Sequence, residues 1–140
     1  MSEFFGRKVT IKCQKKGTFA SATDTGVVEQ VSKASTWEEF SIYLIKAPDV
    51  VALRTWNNKY VSMTEGDYGL SLVDAINDWE RFEIAPYTEG GQIIGYTLQS
   101  MKWNNRFWKF EENGIGIGGI YVPDHITNPD YFLTDISIVE

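Results

Sequence analysis

One histidine, one cysteine and five tryptophans bound the chemistry open to this chain of 140 residues. A Ser-His-Asp or Cys-His relay needs an imidazole as its base, and His125 is the only histidine. It falls in Val122-Pro123-Asp124-His125-Ile126-Thr127, which reads as a solvated loop. Cys13 alternates with Thr10 and Lys12 on the same side as Val9 and Ile11, so it reads as a buried small hydrophobe. Zinc takes about four N or S ligands, more than one Cys and one His supply. Calcium could use Asp and Asn, but no EF-hand spacing is present. Gly114-x-Gly116-x-Gly118-Gly119 has the glycines of a phosphate loop without the Lys-Ser/Thr pair or following helix, so it reads as β-turns. Neighbouring carboxylates such as Glu38-Glu39 and Glu111-Glu112 point to opposite faces of a strand and do not converge as a glycosidase pair would. The expectation is a non-enzymatic protein with no catalytic residues, no metal and no cofactor.

Binding chemistry is better represented. Trp56-Asn57-Asn58-Lys59 and Trp103-Asn104-Asn105-Arg106 each set a flat indole beside amides and a cation, at what reads as a hairpin turn. Turns are rarely buried, because their backbone polar groups need water. A ring for the C–H face of a pyranose and amides for its hydroxyl pairs are the parts of a sugar site. Trp108 belongs to the same group by proximity. A second candidate is the loop Thr64 to Gly69, with Asp67 as acceptor and Tyr68 as aromatic; Asp24-Thr25-Gly26 is its counterpart earlier in the chain. Two other readings stand beside the sugar site. The tryptophans could lid the hairpins while the asparagines merely turn the chain, or Trp and Arg could serve a protein contact.

The elements that would position these residues recur. Trp37-Glu38-Glu39-Phe40-Ser41-Ile42 returns 42 residues later as Trp79-Glu80-Arg81-Phe82-Glu83-Ile84. Asp130-Tyr131-Phe132-Leu133 stands in the third position, so Phe40, Phe82 and Phe132 match. Self-similarity at a period of ~40 residues marks a repeat architecture. Within each unit, period-2 alternation such as Val9-Ile11-Cys13, Val51-Leu53-Thr55 and Tyr96-Leu98-Ser100 predicts short half-buried strands. Lys15-Lys16-Gly17, Asn57-Asn58 and Asn104-Asn105 read as turns, since Asn and Gly accept the left-handed conformation. Glu89-Gly90-Gly91-Gln92 signals an inserted hairpin. Strands are expected over Trp37 to Ile45 and Trp79 to Ile84, with Trp37, Phe40, Trp79, Phe82 and Phe132 in a shared core. About four strands in each of three units, at 9–47, 48–89 and 90–140, predict an all-β protein, a single β-trefoil domain over 1–140. An irregular β-sandwich is the alternative.

The stretch Val51-Ala52-Leu53-Arg54-Thr55-Trp56-Asn57-Asn58-Lys59-Tyr60-Val61-Ser62, closing in Asp78-Trp79-Glu80-Arg81-Phe82, resembles the repeat of fascin-like, actin-cross-linking β-trefoil domains. That family shows a strand, an Asn-Gly-Lys-Tyr-type turn and a closing Trp-Glu-x-Phe. Here Asn58 takes the place of the turn glycine, and the third unit lacks the closing Trp. The resemblance implies the trefoil fold, and for function either an actin-binding protein or a sugar-binding module; fold alone does not choose between them.

Charge narrows the partners. A net charge of −6 repels phosphate backbones and anionic membranes, so neither nucleic acid nor membrane is expected as a partner. A neutral sugar needs no electrostatic steering. The N-terminal sequence has no signal-peptide pattern and a lone cysteine forms no internal disulfide, so a cytoplasmic protein is expected. The leading expectation is a carbohydrate-binding lectin. An actin or cytoskeletal binder follows, supported by the local cluster Lys8, Lys12, Lys15 and Lys16. A hydrolase inhibitor acting through the Ile120 to Asp130 segment is third.

Overall fold

Alternating apolar residues and frequent turn formers give short strands, and among the described residues the helices are single 3-10 turns. The computed structural model describes residues 2–64 and 69–140. Among the described residues there are twelve strands: β1 (Lys8–Cys13), β2 (Phe19–Ala22), β3 (Val28–Val31), β4 (Phe40–Lys46), β5 (Val50–Arg54), β6 (Tyr60–Met63), β7 (Leu70–Val73), β8 (Phe82–Glu89), β9 (Gln92–Ser100), β10 (Arg106–Phe110), β11 (Ile117–Tyr121) and β12 (Thr134–Ile138). They form one large antiparallel sheet.

Six strands carry the sheet around on itself. β4 pairs with β5, β8 with β9, and β12 with β1 in long ladders. Shorter pairings join β1 to β4, β5 to β8 and β9 to β12, so the path returns to β1. The other six strands form the hairpins β2–β3, β6–β7 and β10–β11. Single bridges Val27–Ser71, Glu29–Gly116 and Gly69–Gly118 tie these hairpins to one another.

Local sequence explains the turns. Gly17, Asn58 and Asn105 precede β2, β6 and β10 and all have left-handed φ, at 71°, 62° and 59°; glycine and asparagine enter that region at least cost. Gly90 and Gly91, with φ of 59° and 81°, supply the two positive values that a tight hairpin needs between Glu89 and Gln92.

The core is continuous. Val9, Ile11 and Cys13 point inward from β1, Phe40 and Ile42 from β4, Leu53 from β5, and Phe82 and Ile84 from β8. Phe132 is also nearly buried.

Two expectations are corrected. Trp37 and Trp79 are not core residues but lie 37% and 40% exposed. They sit on one-turn 3-10 helices, Thr36–Glu38 and Asp78–Glu80, and the following strands begin only at Phe40 and Phe82. A single strand from Trp to Phe would put residues three apart on opposite faces. Strand parity thus already argues against Trp and Phe sharing one core, and the helical turn likewise has Trp outward and the following Glu inward. Trp108, grouped with the exposed tryptophans, is fully buried, with the edge of its ring system against Phe82 at 5.7 Å and 88°.

Packing and charge give two tests. Phe82→Ala should cost about 3–5 kcal/mol in urea unfolding, because it empties a fully buried site between strands; a loss near zero would contradict the shared core. Burial, then the charge of Asp49, raises the Glu83 carboxyl above its ordinary value. A raised folded value means that Glu83 favours folding when protonated and that this contribution is lost as pH rises through that value. Glu83→Gln should therefore raise Tm at neutral pH, and the gain should vanish on acidification below about pH 4. A gain that persists unchanged in acid would rule out the carboxylate charge as its source.

Candidate functional site

The site is built on a buried carboxylate that occurs twice. Glu38, 4% exposed, and Glu80, 3% exposed, each close a 3-10 turn and point inward. The Ser21 hydroxyl donates to Glu38 Oε2 at 2.5 Å, and the Ser62 hydroxyl to Glu80 Oε2 at 2.6 Å. The second oxygen reaches back to the start of its own turn. The backbone N–H of Ser35 donates to Glu38 Oε1 at 2.6 Å, and that of Asn77 to Glu80 Oε1 at 2.7 Å. Each oxygen thereby accepts a hydrogen bond, which makes a buried carboxylate tolerable. The carboxylate pins the turn to β2 in one case and to β6 in the other.

The turn then presents its tryptophan to the surface, where another tryptophan meets it. Trp37 and Trp56 stack nearly parallel, with centroids 5.4 Å apart and planes 9° apart. Trp79 and Trp103 meet at 5.7 Å and 44°. The indole N–H of Trp56 donates to the Ala22 carbonyl at 2.7 Å, and that of Trp103 to the Met63 carbonyl at 2.7 Å. Both N–H groups are thus committed to the fold. Trp56 is nonetheless 37% exposed, close to the 40% of Trp79, whereas Trp103 is half-buried.

The larger opening lies beside Trp79. A cleft of about 500 Å³ is lined by Val73, Asp74, Asn77, Asp78, Trp79 and Glu80. Trp79 gives it an exposed aromatic surface, and Asp74, Asn77 and Asp78, all exposed, give it polar groups. Lys59 pairs with Asp74 at its rim. The corresponding opening beside Trp56 is smaller, about 190 Å³, and is lined by Lys8, Glu39, Tyr43, Arg54 and Asn58 among others. There the Arg54 guanidinium donates to the Tyr43 hydroxyl at 2.9 Å. That hydrogen bond raises the Arg54 value further above its ordinary range.

The asparagines of the Trp-Asn-Asn turns shape the chain. Asn57 Oδ1 accepts from the Thr55 hydroxyl at 2.6 Å. Asn58 and Asn105 hold the left-handed turn positions, and Asn104 is exposed. Buried Trp108 contributes no surface. Asp67 and Tyr68 lie outside the described residues. The basic group near the N-terminus is partly occupied: Lys15 is 3.8 Å from Asp130, the Lys16 ammonium donates to the carbonyls of Glu111 and Gly114, and Lys12 lies over Phe19. His125 is exposed beside Asp124, at 3.2 Å.

Trp79, Asp74, Asn77 and Asp78, which line this cleft, are not among the candidates the sequence offers, because the recurrence of Trp79 places it in the core. A signal was available. Ser35-x-x-Glu38 and Asn77-x-x-Glu80 are capping-box spacings, which start a helical turn and break the strand reading. No protein-family model matches the chain, and no curated protein is similar to it at a significant level.

The buried carboxylate should be sensitive to loss of charge. In Glu80→Gln the amide keeps one acceptor but turns an NH2 group toward a hydroxyl or a backbone N–H. The expected cost is about 1–3 kcal/mol, read by urea unfolding, with Ser62→Ala costing less. Equal stability of Glu80→Gln and wild type would remove the carboxylate from its anchoring role.

Proposed function

We propose that the chain is a β-trefoil that binds carbohydrate without catalysing a reaction, and that the cleft beside Trp79 is its saccharide site. Three observations support the trefoil reading. The strands fall into three blocks of four with the same pairings. The left-handed turn recurs before the second strand of each block. Phe40, Phe82 and Phe132 recur as buried residues near the end of each block.

The observation that carries the functional reading is Trp79, a large ring 40% exposed in a cleft that the hydrogen-bonding side chains of Asp74, Asn77 and Asp78 also line, beside Val73 and Ala75. An exposed ring face suits the apolar face of a pyranose, and carboxylate and amide groups suit its hydroxyls. The ring costs nothing to preorganise, because Trp103 and the Glu80 anchor already hold it. The cleft is open, so a single site of this kind is expected to be weak and to gain strength by multivalency.

A second reading rests on the β8–β9 hairpin, where Ile93 is 55% and Ile94 36% exposed. Exposed apolar side chains at a hairpin end favour protein contact. With the resemblance to fascin-like domains, that contact would be to actin or another cytoskeletal protein.

A glycan array probed with wild type and Trp79→Ala tests the first reading. Saturable binding to a defined glycan class is expected, falling about tenfold or more in the variant, which corresponds to about 1.4 kcal/mol. Matching near-ultraviolet circular dichroism away from the Trp signal would establish that the variant is folded. A blank array, with co-sedimentation on actin filaments, would favour the second reading instead.

A further inference from the structure

Beside the Trp79 cleft, and sharing Asp78 with it, lies a second opening of about 260 Å³. Its lining is unusual for a chain of net charge −6. Lys46, Arg81 and Lys102 all face it, with Asp78 as the only carboxylate, and Ile45, Val50 and Met101 complete the walls. Among the described residues none of the three cations is within ion-pair distance of a carboxylate. The Arg81 Nε–H is enclosed and has no hydrogen-bond partner. Lys102 sits over the ring of Trp103 at 5.6 Å, and Trp103 in turn packs on Trp79.

Three cations with one carboxylate among them leave the opening with excess positive charge, and like charges in one place repel one another. An anion entering the opening relieves the repulsion among the cations. Arginine and lysine together suit an oxyanion, since the guanidinium offers a planar set of donors and the ammonium a mobile point charge. Ile45, Val50 and Met101 lower the local polarity, which strengthens such contacts. Trp79 and Arg81 flank the anchored Glu80, so the ring and the cation are held by one rigid turn.

We propose that the Lys46–Arg81–Lys102 pocket receives the anionic group, carboxylate or sulfate, of an acidic saccharide whose ring lies against Trp79. This rests on the saccharide reading of the Trp79 cleft and names the class of sugar it takes. The two openings act as one extended site, with the apolar ring contact on one side of Asp78 and the charge contact on the other.

Calorimetric titration with methyl β-D-glucuronide, methyl β-D-glucoside and sodium acetate tests this on wild type, Arg81→Met, Lys102→Met and Trp79→Ala. The glucuronide should bind about tenfold or more tightly than the glucoside in low salt. Its affinity should fall as salt is raised, because the contact is ionic. Arg81→Met and Lys102→Met should each weaken the glucuronide and leave the glucoside unchanged, whereas Trp79→Ala should weaken both. Lys102 is exposed, so its variant reports on charge even if Arg81→Met perturbs folding. Equal affinity for glucuronide and glucoside, unaffected by the cation variants, would overturn the acidic class while leaving the saccharide site in place. Acetate binding as tightly as glucuronide, indifferent to Trp79→Ala, would overturn the saccharide contact. If neither sugar binds, the reading of the Trp79 cleft falls, and this inference with it.

Discussion

The surface of this protein depends on a carboxylate buried inside it. Glu38 and Glu80 each satisfy a serine hydroxyl on a neighbouring strand with one oxygen and the first backbone N–H of their own turn with the other. A buried charge is tolerable only when its acceptor capacity is used. Satisfying it fixes where the turn begins, which strand it lies against and which way the next residue faces. The tryptophan before each glutamate is therefore held outward by the same constraint that pulls the glutamate inward. A second tryptophan, tied by its indole N–H to a strand-end carbonyl, then supports the first. Exposed ring and buried anchor are adjacent residues on one helical turn.

Much of the strand pattern was legible in the sequence, because it rests on local rules. Val9-Ile11-Cys13 alternates as a half-buried strand must, and all three are buried. Asn58 and Asn105 were readable as left-handed turn residues, and Gly90-Gly91 as a hairpin turn. The all-β class follows from these features. β5 was less legible. Val50 to Leu53 are all buried, so the strand is covered on both faces and its period-2 signal describes only half of it.

The candidate site was harder to read, for a physical reason. Trp37 and Trp79 recur, and recurrence is equally natural for core and for surface clasps. The signals against a shared core were the odd spacing from Trp to the buried Phe and the capping-box spacing of a short helical turn, both weaker to the eye than the recurrence itself. The Trp-Asn-Asn turns drew notice instead, yet their indole N–H groups are spent on backbone carbonyls, and Asn57 and Asn58 are spent on the turn itself. Trp108 stood three residues beyond such a turn, where β10 directs it into the core. The grouping of Lys46, Arg81 and Lys102 was invisible in sequence, because it joins β4, the start of β8 and the segment after β9 through tertiary pairing.

The account turns on which tryptophan is available to a ligand. The most direct measurement follows the five indole N–H resonances in 15N-labelled protein during titration with the saccharide of highest array signal. The account predicts that the Trp79 resonance moves saturably, that Trp103 follows by contact, and that Trp108 stays fixed. It also predicts slow hydrogen exchange at Trp56 and Trp103, whose N–H groups are bonded to carbonyls. Saturable movement confined to Trp37 and Trp56, or none at Trp79, would contradict it.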